Sequence, residues 1–310
     1  MISIAMATYN GEKYLGEQID SILNQSIQDF ELIVCDDCST DNTWNILLDY
    51  QLHDKRIKCY RNEKNLGFKK NFEKAIRLCT GDYIALSDQD DVWTEEHLEV
   101  LFENIGENDL VGAGAFLSDK DGKPFEKEQN SHLGEQISCF IKNKDDWFFY
   151  LLHQNCFQGA ASLFKKSLVK KALPIPENIQ FHDYWLALIA ASEGGFKYVD
   201  KKIFFYRQHG NNVTDNERLN FFEKIKSAIL GKELRKKVKL QINYLITLQQ
   251  YVHDQKQIKQ IQETLAFFRN RRTYKNFKCI PYFYKNYSRI YLSQKNGVFW
   301  FRFFKMLIGK

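Results

Sequence analysis

The sequence predicts an α/β chain: a Rossmann-like, mostly parallel sheet flanked by helices, followed by a helical, basic C-terminal region. Three observations carry that expectation. Short apolar runs alternate with amphipathic stretches through the first third of the chain, in the order β-α-β-α-β-α-β expected of a right-handed parallel sheet. The run Tyr83–Ser87 is short and mostly apolar, as suits a strand buried on both faces, and Asp88, Asp90 and Asp91 come directly behind it. Charge is divided along the chain: residues 217–310 carry 21 Lys and Arg against 5 Asp and Glu, a net +16, which leaves −11 on residues 1–216. An acidic body and a basic tail are surfaces for different partners.

Each element has its own grounds. At 310 residues, 44% hydrophobic and with four prolines, the chain has material for one large or two smaller folded units and no long disordered linker. Residues 2–7 read as the first strand with no basic leader ahead of them, so no signal peptide is expected. Asn10 can cap a helix whose inner face is Leu15, Ile19, Ile22 and Leu23. Residues 30–35 are the second strand, and Thr40 or Asp41 opens a helix with Trp44, Leu47 and Leu48. Residues 57–60 are the third strand, after which Phe68, Phe72, Ala75, Ile76 and Cys79 recur at helical spacing. Beyond Tyr83–Ser87, Thr94 can cap a helix with Glu95 and Glu96 in its first turn and Leu98, Leu101, Phe102 and Ile105 on its apolar face.

Several classes are disfavoured. No apolar run approaches the ~20 residues needed to span a bilayer. Seven cysteines without framework spacing point to a reducing cytoplasm. Cys35-Asp36-Asp37-Cys38 spells C-x-x-C but lacks a second pair for zinc, and Cys35 reads as a buried strand residue. No G-x-G-x-x-G follows the first strand and no P-loop motif is present.

In open α/β sheets, ligands bind outside the carboxyl ends of the strands. Thr8-Tyr9-Asn10-Gly11, Asp36-Asp37-Cys38-Ser39, Arg61 to Gly67 and the Asp88–Asp91 cluster therefore gather on one edge. Clustered carboxylates repel unless a cation sits among them, and Mg²⁺ or Mn²⁺ is typically held by one or two carboxylates plus substrate phosphates. Taken alone, the cluster reads equally as a solvated acidic loop capping the next helix. Asp36 or Asp37 can accept hydrogen bonds from a base or ribose, and Lys69 or Lys70 can offset diphosphate charge.

Four blocks now stand in order: Ala7-Thr8-Tyr9-Asn10-Gly11, Val34-Cys35-Asp36-Asp37-Cys38-Ser39-Thr40-Asp41, Asn65-Leu66-Gly67 and Ser87-Asp88-Gln89-Asp90-Asp91-Val92-Trp93. Together they resemble family 2 glycosyltransferases of the GT-A fold, over residues 1–215. The resemblance implies an inverting transfer from a nucleotide-diphosphate sugar. It places Thr8 and Asp37 near the base, Asp88 near the ribose and Asp90 on the metal. Tyr9, Asn10, Asp36, Asn65, Gly67, Lys70 and Gln89 complete the expected donor side. On that reading residues 1–105 are the nucleotide-sugar half, 106–215 the acceptor half, and 216–310 a separate helical region.

Residues 110–160 say least. Asp119-Lys120-Asp121-Gly122-Lys123-Pro124 is a turn, and residues 131–143 read as a loop over the site. The small residues of Cys156-Phe157-Gln158-Gly159-Ala160-Ala161 fit a strand beneath the acceptor, or plain packing. Trp185, Leu188 and Ile189 make a buried helical stripe that leaves His182 and Asp183 at the helix start. An Asp there stabilises the helix dipole by ~0.3–1 kcal/mol without any function. An inverting transfer, however, needs a base for the attacking hydroxyl, and the resembling family places an Asp here. Asp183 is therefore the expected base, with His182, Trp185 and Trp93 on the acceptor side. The family's usual acid before that Asp is His182 in this chain, a departure. His209, in Tyr206-Arg207-Gln208-His209-Gly210, is expected to meet the metal or a phosphate. Ser-Asp-Gln-Asp-Asp-Val-Trp, His-Asp-Tyr-Trp and Tyr-Arg-Gln-His together most resemble bacterial rhamnosyltransferases, which makes dTDP-rhamnose the expected donor, a UDP-hexose the alternative, and a non-catalytic nucleotide-sugar-binding subunit the non-enzymatic one.

In the tail, Val238, Ile242, Leu245, Leu248 and Val252 give one long amphipathic face. Residues 298–308 are strongly apolar among scattered basic residues, too short to span a bilayer. They fit an interfacial helix on an anionic membrane surface, packing on the catalytic domain, or a homo-oligomer contact. No RNA-binding module is present, so no nucleic-acid partner is expected. The expectation is a cytoplasmic, peripheral-membrane enzyme with a lipid-linked or oligosaccharide acceptor.

Overall fold

The computed structural model describes residues 1–125, 141, 144–156, 158–209, 232–272 and 276–291. The chain divides into two compact units. The first draws on Met1–Cys139, Cys156–Ile175 and Phe181–Asn212, the second on Phe140–Asn155, Pro176–Gln180 and Val213–Lys310.

The first unit is built on eight strands: β1 (Ile2–Thr8), β2 (Phe30–Asp36), β3 (Ile57–Arg61), β4 (Tyr83–Ser87), β5 (Val92–Trp93), β6 (Leu110–Ser118), β7 (Ser162–Lys165) and β8 (Phe196–Arg207). They lie in one sheet in the order β3-β2-β1-β4-β7-β6-β8-β5. The first four are parallel, as the alternating pattern predicts. β7 runs antiparallel to β4 and β6, which makes the sheet mixed. Its helices are α1 (Leu15–Leu23), α2 (Thr43–His53), α3 (Phe68–Leu78) and α4 (His97–Ile105). Ile4, Met6, Leu32, Val34, Leu15, Ile19 and Ile22 are fully buried between sheet and helices, each worth about 1.5–3 kcal/mol relative to exposure.

Local expectations need correcting at four points. Asn10 does not cap α1: its φ is +48° and its Oδ1 accepts from Thr40 N–H at 2.9 Å. Thr94 does not cap α4, because its hydroxyl donates to Ile203 C=O at 2.9 Å. Phe102 is 43% exposed, resting edge-on against Tyr83 instead of filling the core. Gly159–Ala161 is a single 3₁₀ turn, and extended backbone begins only at β7.

The second unit holds α5 (Lys144–Leu151), and the first unit then supplies α6 (Lys166–Ala172) and α7 (His182–Ser192). The second unit continues with α8 (Lys232–Leu248), α9 (Gln255–Arg272) and α10 (Ile280–Tyr291). The predicted stripe Val238, Ile242, Leu245, Leu248, Val252 is buried, with α8 packed on α9. Residues 140–155 and 176–180 group with the tail in this unit. The reason is chemical, since α5 brings partners for the tail's basic and aromatic residues. Arg289 pairs with Asp146 at 2.8 Å and stacks on Phe149 at 3.9 Å, while His153 Nε2 meets Tyr282 OH at 3.0 Å. Among the described residues no helix is long and apolar enough to cross a membrane. The expected loop at 131–143, save residue 141, and the apolar run at 298–308 lie outside the described residues.

Candidate active site

The chain lays β2 and β3 on one side of β1, then crosses to place β4 on the other. The order reverses between β1 and β4, which is where such sheets open a ligand crevice. Register brings Thr8 beside Asp36 and Asp36 beside Arg61, with Met6 beside Ser87. All four strand-end loops thus share one edge.

Two layers follow. Tyr9, Asn10, Asn65 and Gly67 are exposed at the mouth. Behind them Thr8, Asp36 and Asp37 are at most 2% exposed, their side chains turned to partners within the chain. Thr8 Oγ1 donates to Asp36 Oδ1 at 3.2 Å, and Asp36 also accepts from Ser39 N–H at 3.1 Å. Asp37 accepts from Leu66 N–H, Gly67 N–H and Asn62 Nδ2, each at 2.8 Å. Buried carboxylates persist only when so satisfied. Gly67 takes φ +80° to present its N–H, a conformation costly to residues with a Cβ. Gln89 spans both polar groups of Tyr9, accepting from N–H at 2.8 Å and donating to C=O at 3.0 Å. Lys70 Nζ lies 3.5 Å from Glu73 on its own helix, with a third of its side chain exposed.

Three carboxylates occupy the crevice beyond β4. Burial, then the charges of Asp90 and Asp183, push Asp88 up to about 7. Asp91 is fully buried; burial and the charges of Asp90 and Asp88 drive its carboxyl well up, and its Oδ2 has no partner. Such repulsion marks a place where a cation would be welcome. Among the described residues no three His, Cys, Asp or Glu side chains form a ready-made cage. That donor set fits a hard divalent ion drawing its other ligands from phosphate and water.

β8 delivers the far wall. His209 Nε2 lies 2.7 Å from Asp90 Oδ2, and its ring stacks on Tyr14 at 4.9 Å. Arg207, two residues earlier, is 2% exposed and donates from Nε to Asp90 C=O at 3.0 Å. Nothing in the sequence alone marks Arg207, Tyr14 or Glu17 as part of this site. A charged residue ending an apolar strand, as Arg207 does, must find buried partners.

Asp183 is half-buried at the start of α7, accepting from Gly159 N–H at 3.1 Å and from Tyr184 N–H at 2.7 Å. A Cβ at Gly159 would lie 3.1 Å from Asp183 Cβ, so a larger residue there would press on the Asp183 side chain. His182 differs from expectation. Its ring stacks on Phe72 at 4.1 Å, neither ring nitrogen has a partner or exposed surface, and burial lowers its pKa. In this arrangement the ring packs against Phe72 and leaves little of its surface exposed. Trp185 is fully buried with Nε1 donating to Ala172 C=O at 2.9 Å. Trp93 is 3% exposed and stacks on His97 at 3.8 Å. Both tryptophans belong to the core, and neither faces an acceptor.

A sheet of this order, with a carboxylate cluster at the switch point, is the architecture of GT-A transferases. Residues 3–173 match the glycosyl transferase family 2 profile, and the chain belongs to that family. An uncharacterized glycosyltransferase of Methanocaldococcus jannaschii is 33% identical over 218 residues, 67% of this chain and 70% of that protein. The dTDP-rhamnosyl transferase RfbG of Shigella flexneri is 30% identical over 217 residues, 67% of this chain and 72% of that one. Among solved structures, the mannosyltransferase PcManGT of Pyrobaculum calidifontis, in complex with GDP-Man and Mn²⁺, superposes with TM-score 0.60 at 14% identity. That match covers 86% of this chain and 69% of the other.

Proposed function

We propose that this family 2 glycosyltransferase moves a sugar, with inversion, from a nucleoside-diphosphate donor to a hydroxyl of a lipid-linked or oligosaccharide acceptor in polysaccharide synthesis. One observation carries the reading: Asp183 accepts from Gly159 N–H at 3.1 Å, and Gly159 packs against Leu86 of β4, two residues before Asp88. The candidate base and the candidate metal carboxylates thus share one crevice.

Asp90, with Asp88 and His209 beside it, would hold Mg²⁺ or Mn²⁺. When bound, the ion supplies counter-charge for the departing diphosphate. Tyr9, Asn10, Asn65 and Gly67 form the rim against which the nucleoside rests, on a scaffold fixed by Thr8, Asp36, Asp37 and Gln89. Asp183 takes the proton from the acceptor hydroxyl as its oxygen bonds to the anomeric carbon. The bond from that carbon to the diphosphate breaks on the opposite face, and the electron pair leaves with the nucleoside diphosphate.

The likeness to RfbG supports dTDP-rhamnose as the donor. The composition of residues 292–310 supports contact with an anionic membrane surface. Nucleoside-diphosphate release with Mn²⁺ over a panel of donors tests the reading. Turnover of dTDP-rhamnose is the expected result, turnover of a UDP-hexose alone replaces the donor, and no release from any donor overturns the enzymatic reading.

A further inference from the structure

We infer that Arg207 is the positioning residue of this site: it fixes the Asp90 turn so that the Asp90 carboxylate is preorganised for a divalent cation. The inference rests on the functional reading above and goes beyond it, because it gives a role to a residue that reading leaves without one.

The geometry is specific. Arg207 ends β8, and its backbone N–H donates to Asp91 Oδ1 at 3.3 Å while its Nε donates to Asp90 C=O at 3.0 Å. One residue thus grips the turn from both sides. Two positions on, His209 meets the Asp90 carboxylate itself. Backbone and side chain of Asp90 are therefore oriented by the same strand end.

The rest of the guanidinium is anchored on three further elements. One terminal nitrogen donates to Lys120 C=O at 3.3 Å, the other donates to Glu17 Oε2, and the plane lies over the Tyr14 ring at 4.6 Å. Tyr14 in turn carries the His209 ring. The turn at Asp119 to Lys123 exists in this form because Gly122, at φ +78°, lets the guanidinium pass: a Cβ there would sit 3.2 Å from it. Burying a cation at 2% exposure is expensive unless its donors are matched. Here they are matched in a planar fork that lysine cannot reproduce. Partners that orient a metal ligand typically change metal affinity about 10- to 100-fold when removed.

The test uses the full-length protein and Mn²⁺, read by electron paramagnetic resonance and calorimetry, with UDP and dTDP as nucleotide probes. Arg207→Lys keeps the charge and loses the fork. Its Mn²⁺ Kd in the nucleotide complex should rise at least tenfold, while nucleotide affinity in EDTA stays within twofold. Glu17→Gln removes one anchor at an exposed carboxylate, so it keeps the fold if Arg207→Lys does not. It should raise the Mn²⁺ Kd by less than Arg207→Lys does, the Gln amide oxygen still accepting from the guanidinium. Wild-type Mn²⁺ affinity in a folded Arg207→Lys overturns the inference. So does wild-type affinity in Glu17→Gln where Arg207→Lys fails to fold. If the wild-type protein binds neither nucleotide with Mn²⁺, the functional reading fails first and the inference with it.

Discussion

His209 reaches Asp90 across the sheet edge, Nε2 to Oδ2 at 2.7 Å, although 118 residues of chain separate them. A carboxylate held this way is pre-aimed, with the imidazole beside it as a second ligand or a phosphate contact. Asp90→Asn removes the charge and keeps the shape. Metal-dependent donor binding should weaken by about 10²-fold, a few kcal/mol at 1.4 kcal/mol per decade. Titration of Mn²⁺ into the donor complex checks this, and unchanged affinity with and without EDTA would remove Asp90 from the metal site.

Asp88 makes the metal-free protein sensitive to pH. Its ordinary value is 3.8, and burial with Asp90 and Asp183 lifts it to about 7. Between those values the folded chain keeps a proton that the unfolded chain has lost. Stability therefore falls as pH rises through that window. Asp88→Asn removes the Asp88 share of the effect and leaves that of Asp91, whose carboxyl is also held up by burial and by Asp90. In EDTA the variant should be more stable than wild type at pH 8 by about 1–3 kcal/mol, with no advantage at pH 3. Urea unfolding at the two pH values decides, and a pH-independent difference contradicts the assigned cause.

The strands were legible because β2 is buried at all seven positions and its residues 32–35 form a continuous apolar run. The strand-end loops were legible as a group for the same reason, since the edge follows from the strands. Side-chain direction within them was not. Asn10 and Cys38 both take positive φ, +48° and +66°, a conformation that residue spacing does not announce. Nor could spacing separate core from site in α7, where nine of eleven residues are buried and no polar face remains to orient the helix. Arg207 was hidden by distance, its partners lying 87, 117 and 190 residues away.

Trp185 distinguishes a core residue from an acceptor platform. Removing a fully buried tryptophan leaves a cavity and orphans the Ala172 carbonyl. Trp185→Ala should cost about 3–5 kcal/mol of stability. An acceptor platform would instead leave unfolding unchanged and raise the KM for acceptor. Chemical denaturation alongside acceptor kinetics separates the two.

Asp183 carries the chemistry, and its setting offers a sharper test than one substitution. Asp183→Asn keeps size and polarity but takes no proton at neutral pH, so kcat should fall by ~10²–10⁴. Donor affinity should stay within about twofold, because the donor rim is built from other strand ends. Gly159→Ala acts on the same carboxylate from behind: its new methyl would meet Asp183 Cβ at 3.1 Å and Leu86 Cδ1 at 3.5 Å. It should lower kcat by displacing the base without removing it. If both changes act through one proton transfer, the double variant should be no slower than Asp183→Asn alone, since coupled effects do not add. Additive losses would mean that Gly159 serves something other than Asp183. Near-normal kcat in Asp183→Asn would leave the reaction without its base, and His182, with both ring nitrogens buried in an aromatic setting, could not replace it.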